Sequence, residues 1–146
     1  MKKEDLYSKL EIGEKYLSDC FLVEKVTNTK DDVEFINTVC KNENLHPNDS
    51  WNKIDFDFAK TLLQDAFYNH LKNVESIENY QEKALSCKDY ILSKFNPSSA
   101  TCYTNVSDNP WKSNSHHYNS ISDYSSDIAI IFTDNEKIVF TYFILD

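Results

Sequence analysis

The chain contains no arginine and a single glycine among its 146 residues. Arginine supplies the planar fork that grips phosphates and base edges in a bidentate manner. Its absence coincides with a net charge of −9, from 24 acidic residues against 15 lysines. Such a chain is a poor candidate for binding nucleic acid or an anionic membrane, and a good one for binding something basic. We therefore expect neither nucleic acid nor membrane as a partner.

The lone glycine, Gly13, argues against a second group of functions. Phosphate-cradling loops and dinucleotide-binding folds need several glycines where the backbone approaches the ligand. Gly13 falls instead within a helical pattern. Protein classes that rely on such loops can be set aside, and we expect no cofactor.

Long apolar runs are also missing. No apolar stretch approaches the roughly 20 residues that a membrane helix requires. The first residues, MKKEDLYSKLEIGEKYL, place acids where a signal peptide would have an apolar run. Hydrophobic residues make up 40% of the chain, which at this length is enough to build a core without disulfides or a structural metal. We expect a single domain, 1–146, in the cytoplasm.

The four cysteines form no C-x-x-C pair. Cys20 and Cys40 fall on the apolar faces of predicted helices, where free thiols act as small hydrophobic groups. We therefore expect reduced, mostly buried cysteines rather than disulfides.

Apolar periodicity predicts about four amphipathic helices. They cover 4–25, the stretch around VEFINTVC, the central core stretch FAKTLLQDAFYNHLKNV, and IENYQEKALSCKDYILSKF. Asp31 or Asp32 can cap the second helix, and Ser76 can cap the fourth, which Asn96-Pro97 ends.

The C-terminal stretch DIAIIFTDNEKIVFTYFILD changes to β-branched and aromatic residues around a polar turn. This pattern predicts an antiparallel hairpin with strands 128–133 and 137–145. Near-continuous apolarity indicates that both faces are covered. The stretch TCYTNV, 101–106, is a candidate third strand. The expected fold is α+β, with the helices packed on a C-terminal antiparallel hairpin or small sheet.

The segment SNSHHYNSISDYSSD, 113–127, holds six serines, two histidines, two tyrosines and two aspartates. Tyrosine is enriched in interface cores, and serine and asparagine offer adaptable hydrogen bonds. Extended towards the N-terminus, this composition predicts a partner-binding surface, unless it is a solvated loop whose aromatic side chains rest on the core. The predicted contact residues are Asp108, Trp111, His116, His117, Tyr118, Asp123, Tyr124 and Asp127.

Acidic residues on the solvent side of the third and fourth predicted helices form a second candidate surface. They are Asp55, Asp57, Asp65, Glu75, Glu78 and Glu82.

Chemistry at the paired histidines is the main alternative to binding. His116 or His117 could act with Cys102 as a thiol–imidazole pair, or join Cys102 with Asp123 or Asp127 around a metal. No regular His/Cys spacing supports either arrangement. We expect no catalytic residue and no metal site.

Small size, acidity, few glycines and the aromatic–acidic segment 108–127 define a general type of protein. In these respects the whole chain resembles the immunity proteins that bacteria carry against their own polymorphic toxins, including those of contact-dependent growth inhibition. The resemblance implies a non-enzymatic antitoxin that neutralises one basic toxin domain by stoichiometric binding. Its acids would stand in for the phosphate substrate of the toxin. The alternatives are a secretion chaperone or phage-type inhibitor, and a small hydrolase; the oligomeric state stays open.

Overall fold

The computed structural model describes the backbone of residues 20–26, and residues 31–72, 79–112, 120–124, 126–134 and 137–145. This part of the chain is an α+β structure with an antiparallel sheet, as the sequence predicts, and it has three α-helices where the sequence predicts about four over the whole chain. In chain order the elements are β1 (Cys20–Val26), α1 (Asp32–Asn42), β2 (Asn52–Ile54), α2 (Phe56–Lys72), α3 (Tyr80–Leu92), a 3₁₀ turn (Pro97–Ser99), β3 (Thr101–Thr104), β4 (Asp127–Thr133) and β5 (Lys137–Ile144).

Within the described residues the sheet has five strands in the order β1-β5-β4-β3-β2. The β4–β5 hairpin pairs Asp127 with Ile144 at one end and Thr133 with Ile138 at the other. Its turn is fixed by Asp134, whose Oδ1 accepts a 2.6 Å hydrogen bond from the Lys137 backbone N–H. The predicted hairpin and the predicted third strand, which is β3, are both confirmed.

The end of the first predicted helix is wrong, because residues 20–26 form strand β1 rather than helix. This strand pairs along its whole length with β5, from Cys20 opposite Phe143 to Val26 opposite Lys137. Its sequence, CFLVEKV, is rich in aromatic and β-branched residues that favour strands. Pairing with a distant strand therefore overrides the helical spacing of apolar residues. Residues 4–19 and Gly13 lie outside the described residues.

The other predicted helices form close to their expected positions. Asp31 caps α1, because its Oδ1 accepts hydrogen bonds from the N–H groups of Val33 at 3.0 Å and Glu34 at 3.4 Å. The helix α2 matches the central core prediction. The helix α3 ends at Leu92, earlier than the predicted stop at Asn96-Pro97. The proposed cap Ser76 lies outside the described residues.

The first core lies between one face of the sheet and helices α2 and α3. Alternate sheet residues point into it, as the two-residue period of a strand requires. Phe132 stacks on Phe95 with ring centroids 4.8 Å apart, and Phe67 meets Phe143 edge-on at 5.1 Å. Two long helices thus cover this face with apolar side chains.

The second core lies on the opposite face of the sheet and is covered by α1, the loop after it and Ile121. Trp51 packs edge-on against Phe140, with ring centroids 6.4 Å apart. The indole N–H of Trp51 donates to Asn37 Oδ1 at 2.9 Å, which ties the loop to α1. Both faces of the hairpin are therefore covered, as its apolar sequence predicts.

The described cysteines behave as core residues. Cys40, Cys87 and Cys102 are free and buried, which confirms the expectation for these three thiols. Cys20 begins β1, so its predicted place on a helix is wrong.

Candidate functional site

The carboxylate of Asp127 is fully buried and organises the segment 120–124. Its Oδ2 accepts hydrogen bonds from Ser122, from the backbone N–H at 3.0 Å and from the hydroxyl at 2.5 Å. The N–H of Ile121 donates to the same carboxylate at 3.2 Å, and the Tyr142 hydroxyl donates to Oδ2 at 3.5 Å. The chain just before β4 is thereby folded back onto the start of that strand.

Asn105 joins this carboxylate to the sheet. Its Nδ2 donates to Asp127 Oδ1 at 2.8 Å, and its Oδ1 accepts from the N–H of Ala129 at 2.8 Å. Burying a carboxylate is costly unless hydrogen bonds replace the lost water. Neutral donors from Asn105, Ile121, Ser122 and Tyr142 supply that replacement here.

The placement of Asp127 corrects the sequence analysis. We predicted it as a contact residue on the surface, but its exposure is 0%. A partner cannot contact this carboxylate directly while the fold is intact. Its hydrogen bonds instead shape the neighbouring segment, in which Asp123 and Tyr124 are exposed.

The exposed side chains of this region come from two loops. Asp123 has a side chain that is 95% exposed, and Tyr124 is 51% exposed. His46, on the loop after α1, places Nε2 2.9 Å from Asp123 Oδ1 and is itself 61% exposed. We call His46, Asp123 and Tyr124 the Tyr124 patch.

Main-chain contacts hold the two loops of the Tyr124 patch together. The N–H of His46 donates to the carbonyl oxygen of Ile121 at 2.6 Å. The N–H of Tyr124 donates to Ser122 Oγ at 3.1 Å, and that hydroxyl donates to Asp127. The backbone beneath the patch is thus fixed from the loop side and from the core side.

A groove of about 510 Å³ lies beside the patch on the same face of the sheet. Pro47, which follows His46 in the sequence, is one of its lining residues. Three acids and one lysine line it, namely Asp31, Glu34, Asp49 and Lys41. Acidic residues therefore outnumber lysines in the described lining of this groove.

The other end of the predicted contact segment is anchored elsewhere. Trp111 is partly buried against the first core, on the face opposite Ile121. Asn109 fixes this turn, since its Nδ2 donates to Asp65 Oδ2 at 2.8 Å and its Oδ1 accepts from the Trp111 N–H at 3.0 Å. Asp108 is exposed on the same turn. His116, His117 and Tyr118 lie outside the described residues.

Three of the four described acids of the second candidate surface contact other groups of the protein. Asp55 Oδ1 accepts a 2.7 Å hydrogen bond from the N–H of Phe58 near the start of α2. Asp57 lies 3.6 Å from the Lys60 ammonium. Glu82 is exposed on α3, whereas Glu75 and Glu78 lie outside the described residues.

The predicted solvent position of Asp65 is only partly correct. Its side chain is 21% exposed, and Oδ2 lies 3.3 Å from the Lys112 ammonium in addition to its hydrogen bond from Asn109. Asp65 therefore holds the turn around residue 109 against α2, and offers little charge to a partner.

Cys102 sits where thiol chemistry is disfavoured. It is 1% exposed in the first core. Burial, with a smaller contribution from the negative charge of Asp55, raises the pKa of its thiol to about 12. The thiolate is the reactive form of cysteine, so this environment suppresses nucleophilic attack. Among the described residues, no group of three or more His, Cys, Asp or Glu side chains is placed to hold a metal ion.

Three residues of this region were missed in the sequence analysis as parts of a site: His46, Asn105 and Ser122. The contact between His46 and Asp123 spans 77 positions, so no local pattern reveals it. Asn105 carried no local signal either, because it follows β3, Thr101–Thr104, in a polar stretch, and the fold buries it. Buried polar groups of this kind are normally hydrogen-bonded.

Comparison of the chain with models of protein families, with curated proteins and with solved structures gives no match. In the described part of the chain, no helix combines the length and the apolar character needed to cross a membrane.

Proposed function

We propose that this chain is a non-enzymatic acidic binding protein that neutralises a basic toxin domain by forming a stoichiometric complex with it. The observation that carries the proposal is an exposed tyrosine beside an exposed carboxylate, Tyr124 and Asp123, on a molecule of net charge −9. Aromatic residues supply much of the binding energy at protein interfaces, and surplus charge accelerates encounter with an oppositely charged partner.

The absence of arginine strengthens the charge argument. Every one of the 15 strong bases is a lysine, so the chain offers no guanidinium fork to a phosphate or a carboxylate. A basic nuclease-type domain presents the complementary surface, because it must itself attract a polyanionic substrate. The acids of this chain would compete for that cationic surface.

The position of Cys102 favours binding over the thiol-hydrolase alternative. A nucleophilic cysteine needs access to substrate and a pKa near or below neutrality. Cys102 is buried, and its thiol pKa is raised to about 12. A hydrolase built on this residue would require the first core to open.

The proposal is tested with the product of the gene next to the one that encodes this chain. We expect the two purified proteins to form a one-to-one complex in size-exclusion chromatography with light scattering. We expect co-expression of this chain to relieve the growth arrest that the neighbouring product causes. The association rate should fall by about tenfold or more between low and high salt, because steering by charge is screened.

Two controls separate binding from chemistry. Replacing Cys102 with alanine should leave both complex formation and growth rescue unchanged. A variant that still binds but no longer rescues growth would favour the hydrolase alternative. A neighbouring product that forms no complex with this chain would refute the proposal.

A further inference from the structure

We propose that the Tyr124 patch is the surface that contacts the partner, and that it receives a lysine or arginine side chain of that partner. The inference rests on the proposed function and adds which of two acidic surfaces acts and what chemistry it recognises. Its support comes from exposure, from the rigidity of the supporting backbone and from the distribution of charge.

Exposure distinguishes Tyr124 from other large apolar side chains. In the described part of the chain only Leu85 and Tyr124 are strongly exposed large hydrophobic residues, at 42% and 51%. A single exposed leucine is ordinary on a protein surface. Tyr124 differs because it lies beside a carboxylate, Asp123, that is itself 95% exposed. An exposed aromatic ring and an exposed carboxylate on consecutive residues offer a cation two kinds of favourable contact.

The backbone beneath the patch is held more firmly than a surface loop requires. The chain buries the Asp127 carboxylate and gives it donors from Ile121, Ser122, Asn105 and Tyr142. This arrangement fixes the residues immediately before Asp123 and Tyr124. A surface that is ordered before binding loses less conformational entropy when the partner arrives.

Among the described residues, the ion-pair contact of Asp123 is with a histidine, whereas Asp57 and Asp65 contact lysines. Asp57 and Asp65 of the second candidate surface lie 3.6 Å and 3.3 Å from a lysine ammonium group. Asp123 Oδ1 lies 2.9 Å from His46 Nε2. The contact with His46 uses only Oδ1 of Asp123. The neighbouring groove is also lined by Glu34 and Asp49, with Lys41.

Matched substitutions on the two surfaces test the inference. The probe is the purified neighbouring product, and its dissociation constant is measured by calorimetry for each variant. Asp123→Lys is matched by Asp57→Lys, whose side chain is 93% exposed, and Tyr124→Ala by Leu85→Ala. We expect each patch substitution to weaken binding by about tenfold or more, and each control by less than about twofold. The milder pair Asp123→Asn and Tyr124→Ser replaces any variant whose circular dichroism differs from the parent.

A charge exchange then tests the recognised chemistry. The Asp123→Lys loss should be recovered when one lysine or arginine on the partner is changed to glutamate. Weakening by the control pair, or by neither pair, would overturn the assignment of the surface and leave the proposed function standing. Failure of the parent protein to bind the neighbouring product would remove both. A complex that no single charge exchange restores would overturn the cation assignment.

Discussion

The two faces of the sheet are covered by different means. On the first face, α2 and α3 bring apolar side chains into one continuous core with stacked and edge-on aromatic pairs. On the second face, one short helix and two loops complete the cover. Polar contacts join these parts, such as the Tyr103 hydroxyl donating to Asp32 at 3.0 Å and the Trp51 indole donating to Asn37 at 2.9 Å.

The two faces differ in what they contribute: the helix-covered face contributes mainly to stability, and the loop-covered face displays side chains to a partner. Long amphipathic helices bury much apolar area but present few shaped loops to a partner. Loops fixed by buried hydrogen bonds can display chosen side chains, because the backbone beneath them does not need a regular helix or strand. The Tyr124 patch lies on the loop-covered face, where the carboxylate of Asp127 is buried. Substitutions on the first face should therefore affect stability, and those on the second face should also affect local order.

The largest expected effect is on the first face. Phe132 is fully buried, stacks on Phe95 at 4.8 Å and meets Phe56 edge-on at 6.2 Å. We expect Phe132→Ala to lower the free energy of unfolding by about 3–5 kcal/mol, since the cavity cannot fully collapse. Urea denaturation measures the loss. Phe140→Ala, on the second face, is the matched control. A loss of unfolding free energy larger than that of Phe132→Ala would contradict the proposed difference between the two faces.

A smaller but more informative effect is expected at Asp127. Changing it to asparagine removes one of the two carboxylate oxygens that accept from Ile121 and Ser122, and leaves buried donors without an acceptor. We expect a loss of about 2 kcal/mol, because an unsatisfied buried group costs about 1–3 kcal/mol. Amide hydrogen exchange should accelerate more at Ile121 and Ser122 than at Ile130, which lies on β4 with Asp127. Uniform acceleration would mean that Asp127 supports the whole sheet rather than the segment.

Much of the fold follows from local sequence pattern. The apolar spacing along α2 places Leu62, Leu63 and Phe67 in the core, and all three are fully buried. The hairpin is equally predictable from the sequence, because β-branched and aromatic residues flank a polar turn. Strand β1 is different, since its partner β5 lies more than a hundred positions away in the chain. Local spacing cannot reveal a pairing that tertiary structure decides.

The candidate site was only partly predictable for a related reason. Composition placed Asp123 and Tyr124 on the surface, and both side chains are exposed. Composition does not show how deeply a side chain is buried, so Asp127 was predicted at the surface although it is fully buried. It also could not identify His46, whose partner is distant in sequence.

Because buried thiols lie in both cores, we expect the stability of the fold to fall at alkaline pH. Burial raises the pKa of Cys87, in the first core, and Cys40, in the second, from 9.0 to about 12. A raised pKa in the folded state gives stability that is present below pH 9.0 and is lost as the pH rises towards 12. Near pH 10 we expect each thiol to cost roughly 1 kcal/mol. Urea denaturation of the parent and of Cys87→Ala at several pH values measures this change; a pH-independent difference would contradict it.

The smallest effect on stability is expected at the exposed contact between His46 and Asp123. Both side chains are well exposed, and exposed pairs of this kind contribute at most about 0.5–1 kcal/mol. The hydrogen bond from the His46 backbone N–H to Ile121 does not involve the His46 side chain, so replacing His46 with alanine leaves its donor in place. A double-mutant cycle of His46→Ala and Asp123→Ala, followed by thermal denaturation, should therefore give a coupling energy below about 0.5 kcal/mol. A coupling energy well above 1 kcal/mol would mean that a surface pair, and not the buried carboxylate, secures the loops, because only a contact shielded from water couples so strongly.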